Sequence, residues 1–188
     1  MDSTRMAVPT VDHAYAPEDW ADLTDSQLRL GLELVFFSHI ELAADADAIL
    51  ADYGFGRPHH RVLYFVARRP GITVNEILAI LRVTNQALSR VMNQLIEAEL
   101  IEQRHDSADR RRRQHYLTPK GAALDHQLCQ EQFRRVRRAY QSLPRDAVLG
   151  FWATLNAMIA EEDRRQLSEP LPDLPWDQPK QPKRVRKA

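Results

Sequence analysis

Asn85, Gln86, Ser89, Arg90 and Asn93 recur at steps of one, three and four, in a segment whose other positions include Ala87, Leu88, Val91, Leu95 and Ile96. Such spacing puts the polar set on one face of an α-helix and the apolar set on the other. The polar types are those that read nucleic acid: arginine pairs bidentately with guanine, asparagine and glutamine with adenine, and serine reaches phosphate. Taken alone, the face is equally that of a solvated helix. A second feature shifts the balance. Arg110, Arg111, Arg112 and Arg113 follow Asp109 in a polar tip between two short strand-like runs. Four consecutive guanidinium groups repel one another unless they meet a polyanion, and arginine suits a narrow minor groove. Asp109 stands where it can hold Arg111 by a charge-assisted pair. Thr84, Asn85, Gln86, Ser89, Arg90 and Asn93 are therefore the candidate reading set, with Asp109 to Arg113 as the wing set and double-stranded DNA as the expected partner.

Composition supports binding rather than catalysis. Formal net charge is zero, but its distribution is uneven: residues 1–60 carry 3 basic and 11 acidic side chains, and residues 61–120 carry 11 and 6. The positive charge thus gathers where the candidate DNA set lies. There is no glycine-rich phosphate loop, no nucleophile set beside a base and no metal-ligand spacing, so neither an enzyme nor a cofactor is expected. His59 and His60 are adjacent, which on a helix turns their rings about 100° apart rather than toward one ion. The single cysteine, Cys129, excludes an internal disulfide framework and fits a reducing compartment. With no apolar leader and no membrane-length apolar run, a cytoplasmic, non-membrane protein is expected.

The elements that must position these residues follow from periodicity and caps. Thr24 with Gln27 forms a capping-box pattern. Leu28, Leu32, Val35, Phe36, His39, Ile40, Ala43, Asp47 and Leu50 then keep one face largely apolar until Tyr53-Gly54-Phe55-Gly56. A stripe of that length is more than a small domain covers, which favours a second copy of the chain. A short helix is expected over His59–Arg68, a second opening at Thr73, and a third capped by Thr84 after a tight turn, the helix-turn-helix arrangement. Leu100–Arg104 and His115–Thr118 read as the strands of a hairpin. Thr118-Pro119 opens a helix to about Gln141, and a final helix is expected over Arg145–Gln166. The expected class is mainly α with a small β-hairpin wing. Its expected organisation is an arm at 1–22, a first dimerisation helix at 23–56, a DNA-binding region at 57–120, dimerisation helices at 121–167 and a Pro-rich basic disordered tail at 168–188.

The ordered set Leu81-x-Val83-Thr84-x-x-x-Leu88-Ser89-Arg90-x-x-x-x-Leu95, Leu100-Ile101-x-x-Arg104, Asp109-x-Arg111 and Leu117-Thr118-Pro119-Lys120-Gly121 resembles the MarR family of winged helix-turn-helix regulators. The wording around Tyr53-Gly54, Arg57-x-His59-His60-Arg61 and Thr84 to Leu88 is similar to its PetP-type branch, associated with electron-transport genes. The resemblance implies a homodimer on a pseudo-palindromic operator, with recognition helices in successive major grooves and wings in flanking minor grooves. It also implies a cleft for a small aromatic or other effector, to which His39, His60 and Tyr64 are candidate contributors. One departure stands out. The family often has glycine where Glu99 stands, and a non-glycine residue enters a left-handed cap at a cost, so a different helix end is expected. Two other readings remain open: an interaction module that keeps the fold without operator binding, and a redox sensor built on Cys129. The basic tail, with Lys180, Lys183, Arg184, Arg186 and Lys187, is either an additional phosphate-binding arm or a solubilising end.

Overall fold

A computed structural model describes residues 22–105 and 112–167, together with 169 and 172. The chain divides into two compact units, one up to Ser142 and one from Leu143. In the first, α1 (Asp25–Ala51), α2 (Arg57–Arg68), α3 (Val74–Leu81) and α4 (Asn85–Glu97) precede a hairpin of β1 (Ile101–His105) and β2 (Arg113–Leu117), and α5 (Pro119–Gln141) follows. In the second lie α6 (Arg145–Met158) and α7 (Glu161–Arg164). The mainly helical class with one antiparallel hairpin is the one expected from the sequence. Among the described residues, no helix is long and apolar enough to cross a membrane.

Threonine side chains set most of the helix starts. Thr24, Thr73, Thr84 and Thr118 each accept a backbone N–H three residues on, and Gln27 and Glu76 return the bond in reciprocal capping boxes. The apolar faces then close one core. Leu50 of α1, Leu63 of α2, Ile77 of α3, Leu95 of α4 and Leu128 of α5 are fully buried, each worth about 1.5–3 kcal/mol of transfer free energy. Helix α1 also ties to α5 through polar groups: Arg135 of α5 grips Asp45, with Nη2–Oδ1 at 2.7 Å, and Gln132 Nε2 donates to the Leu42 carbonyl at 3.0 Å.

The hairpin pairs Ile101 with Leu117 at its base and His105 with Arg113 at its described end. Arg113 therefore belongs to a strand and not to the tip, because its backbone continues the ladder. His115 anchors this hairpin to the turn before α3. Its N–H and its Nδ1 both reach the Ile72 carbonyl, at 3.1 and 3.0 Å, while the Gly71 N–H donates to the His115 carbonyl at 2.9 Å. Since Nδ1 must carry the proton, Nε2 is the acceptor for Gln103 Nε2–H at 3.3 Å, and the Gln103 oxygen in turn accepts from Arg113 Nη1 at 3.4 Å.

Two expectations fail. Glu99 does enter the left-handed region, with φ at 58°. Its N–H donates to the Ile96 carbonyl and that of Leu100 to the Leu95 carbonyl, both at 2.9 Å, the paired bonds of a Schellman ending. The glycine-type geometry is kept because two orphan carbonyls are satisfied there and the buried Leu95 and Leu100 hold the turn. The expected helix over Arg145–Gln166 also breaks. Ile159 and Ala160 are extended, and Glu161-Glu162-Asp163 start a fresh turn, α7, where acidic side chains suit a helix N-terminus.

Replacing Glu99 with glycine removes the left-handed penalty and is expected to raise stability by about 0.5–1 kcal/mol. A higher urea midpoint at unchanged m-value checks this; a lower midpoint contradicts it. Burial holds the His115 imidazole below its ordinary value of 6.5. Below pH 6.5 the unfolded chain takes up a proton that the folded site refuses, so stability is complete above that value and declines as pH falls toward the folded pKa. An NMR titration is expected to show the His115 ring changing only below pH 6.5; titration at or above that value would refute the assignment.

Candidate DNA interface and cleft

Helix α4 is held by its inner face and by its ends. Leu88, Met92 and Leu95, at i, i+4 and i+7, are 2%, 3% and 0% exposed. Thr84 caps the N-terminus after a turn in which Arg82 adopts φ 52°. At the C-terminus, Lys120 Nζ donates to the Ala98 carbonyl at 2.8 Å and Thr118 Oγ1 donates to the Glu99 carbonyl at 2.6 Å. Gly121 packs so tightly that a Cβ there would sit 2.0 Å from the Leu100 oxygen. The Thr118-Pro119-Lys120-Gly121 run is thus a clamp on the end of α4, with the lysine charge at the negative pole of the helix.

This leaves one face of α4 outward. Asn85, Gln86, Ser89, Arg90 and Asn93 are all exposed, as is the cap residue Thr84. Ser89 Oγ donates to Asn85 Oδ1 at 3.2 Å, which orients the amide before any ligand arrives. Arg112 and Arg113 are exposed at the hairpin. With Thr73, Val74, Asn75 and Glu76 at the start of α3 they line a groove of about 630 Å³. The carboxyl of Glu76 is pulled below its usual range, first by its hydrogen bonds to Thr73 and further by the charges of Arg112 and Arg69. Asp109, Arg110 and Arg111 lie outside the described residues.

On the other side of α2, His39, His60 and Tyr64 meet in one cleft of about 290 Å³ between α1, α2 and α5. Arg57, Arg61 and Gln132, which sequence reasoning missed, share its lining, and among the described residues no carboxylate does. Arg57 and Arg61 sit one helical turn apart on α2, a spacing legible in the sequence; Gln132, about ninety residues from His39, gave no local signal. Arg57 is gripped from outside by Asp47, with Nη2–Oδ2 at 2.8 Å. His60 Nε2 is buried with no hydrogen-bond partner among the described residues. Burial pushes this imidazole below its ordinary value, against the opposing pull of Asp125 and Asp47.

Beneath the cleft lies a polar cluster. Arg68 sits over the Tyr64 ring at 4.7 Å and reaches Asp125 Oδ2 at 3.5 Å and Cys129 Sγ at 3.4 Å. Burial raises the Asp125 carboxyl above its usual range despite that guanidinium. Cys129 is buried, and burial together with Asp125 raises its thiol as well. The nearby cation does not make a thiolate, so the reactivity that redox sensing needs is disfavoured. The neighbouring cation is Arg68, supplied by α2. His59 and His60 diverge, the first into the interior against α4 and the second toward the cleft.

Comparison with known proteins agrees with this architecture. The chain is 43% identical over 143 residues to the HTH-type transcriptional regulator PetP of Rhodobacter capsulatus, covering 76% of this chain and 86% of that protein. A MarR family transcriptional regulator from Silicibacter pomeroyi has the same fold at a TM-score of 0.59 and 21% identity, covering 74% of this chain and 93% of that one. A mutant MarR from E. coli complexed with operator DNA aligns at a TM-score of 0.57 and 22% identity, over 74% of this chain and 99% of that one. Residues 53–112, which take in α2, α3, α4 and β1, match the MarR family. A polar helix clamped at both ends, a hairpin beside it and close similarity to a named regulator along most of both chains lead to one assignment: this chain belongs to the MarR family of transcriptional regulators.

Proposed function

We propose that this chain binds operator DNA as a homodimer, sequence-specifically and without covalent chemistry. The observation that carries the reading is the outward face of α4, where Asn85, Gln86, Ser89, Arg90 and Asn93 stand exposed on a helix whose other face and both ends are fixed. Such a helix enters a major groove without losing its own packing, and arginine and amide side chains then meet base edges. The operator complex of E. coli MarR supports the same use of the fold. On this reading residues 57–120 form the DNA-binding region, and 23–56 with 121–167 the dimerisation region. Arg111 enters the flanking minor groove with Asp109 holding it, the neighbouring wing arginines add phosphate contacts, and the half-sites are about one helical turn apart on a pseudo-palindrome.

Dimerisation is supported by α1. Leu28, Leu32, Val35 and Phe36 lie on one side of its first half and Leu30, Leu34 and Phe37 on the other, all between 39% and 64% exposed. Two apolar faces on one helix call for a partner that wraps it, and a second copy supplies one. The cleft adds a signal input. Two arginines, a buried imidazole nitrogen with no partner among the described residues and the apolar surfaces of Leu42, Ala43, Tyr64 and Phe65 suit a small anion with an apolar or aromatic body.

Gel-shift titration with the DNA upstream of the protein's own gene tests the central claim. A salt-sensitive, sequence-preferring shift is expected, and its absence at modest salt contradicts operator binding. Arg111→Ala is expected to weaken that binding by about 1–3 kcal/mol; unchanged affinity in a folded variant removes the wing from the mechanism. Light scattering is expected to give a dimer for the wild-type protein and a monomer for a Leu32→Glu, Phe36→Glu double variant. A wild-type monomer at micromolar concentration would refute the dimer.

A further inference from the structure

Helix α2 has two working faces. Arg57, His60, Arg61 and Tyr64 line the cleft, while His59, Val62, Leu63 and Val66 are buried. His59 is the polar member of the buried set. Its ring stacks on Phe55, with centroids 4.5 Å apart and planes 12° from parallel. The Gly56 N–H, at the cap of α2, donates to His59 Nδ1 at 3.1 Å. The ring proton therefore sits on Nε2, which lies 3.0 Å from Gln94 Oε1. Gln94 belongs to α4 and follows Asn93 of the outward face directly.

We propose that the His59–Gln94 hydrogen bond sets the position of α4 relative to the cleft-lining helix α2, making both side chains positioning residues that carry the state of the cleft to the reading face. The proposal rests on the operator-binding reading. The apolar contacts of Leu88, Met92 and Leu95 hold α4 against the core without singling out α2, because the hydrophobic effect has no direction. A hydrogen bond from a ring whose other nitrogen is already committed has both length and direction, and a displacement of about 1 Å breaks it. Breaking it leaves a buried imidazole and a half-buried amide unsatisfied, so α4 follows α2 rather than letting go. The cleft acts on the same turn of α2. Arg57, two residues before His59, is held by Asp47 of α1 through Nε and Nη2, with Oδ2 at 3.1 and 2.8 Å. An anion in the cleft competes with Asp47 for this guanidinium and so alters how the start of α2 is tied to α1.

The test uses the full chain and a duplex that the wild-type protein selects from random-sequence DNA, with a scrambled duplex of equal length as control. Gln94→Met keeps the length of the side chain and removes the acceptor. His59→Phe keeps the stack on Phe55 and removes both bonds, so the bond is broken from either side and one folded variant suffices. Each variant is expected to lose roughly five- to tenfold in affinity for the selected duplex, the equivalent of one hydrogen bond, with affinity for the scrambled duplex unchanged. The double variant is expected to bind no worse than the weaker single one. Asp47→Asn is expected to change selected-duplex affinity in the wild-type background and to have no further effect with Gln94→Met, although sites that do not touch ordinarily add. Equal losses on both duplexes, additive losses, or selected-duplex affinity within about twofold of wild type in variants with native melting behaviour overturn the proposal alone. Failure of the wild-type protein to enrich any duplex overturns the operator reading and this proposal with it.

Discussion

A helix that must offer its polar face to another molecule has to be held by everything else it has. On the proposed operator-binding reading that constraint falls on α4, and the surrounding structure meets it. Leu88, Met92 and Leu95 hold its inner face, and Thr84 satisfies an N-terminal N–H. The strongest fixation is at the C-terminus. There the Schellman bonds, the Thr118 hydroxyl, the Lys120 ammonium and the absence of a side chain on Gly121 converge on Leu95, Ile96, Ala98, Glu99 and Leu100. The hairpin between these two halves of the clamp is thereby fixed at its base relative to α4.

Buried polar groups are the second organising theme. An unpaired buried imidazole costs free energy comparable to a lost hydrogen bond, and His59 and His115 avoid that cost with opposite tautomers. His59 accepts at Nδ1 and faces an acceptor at Nε2; His115 donates at Nδ1 and accepts at Nε2. Each links one element to another that is distant in sequence, α2 to α4 and the hairpin to the turn before α3. His60 departs from the pattern. Its buried Nε2 has no partner among the described residues, and it borders the cleft, with Arg68, Asp125 and Cys129 forming a hydrogen-bonded layer below.

Local chemistry made most elements legible. Thr24, Thr84 and Thr118 were readable as caps because a hydroxyl three residues before a free N–H needs no tertiary help. The polar face of α4 was readable because its period matches the helix. Glu99 misled for an equally physical reason: propensity argues against a left-handed glutamate, but satisfied carbonyls and two buried leucines outweigh about 1–2 kcal/mol of local strain. The break at Ile159 was not readable, since nothing in Met158-Ile159-Ala160 forbids a continuous helix. His39, His60 and Tyr64 are grouped in the sequence only through the family resemblance; their meeting with Gln132 depends on α1, α2 and α5 packing together.

The amino-acid order by itself determined the helices before Ile159, the threonine caps that start most of them, the hairpin and the polar face of α4, because each depends on residues within a turn or two of one another. Tertiary structure decided what those elements touch. It turned Thr118, Lys120 and Gly121 into a clamp, committed His59 to Gln94 and His115 to Ile72, and raised the Cys129 thiol in spite of a neighbouring arginine. Hydrogen-bond partners and desolvation are set by groups that packing brings together from 19 to 90 residues away, and no local pattern encodes them.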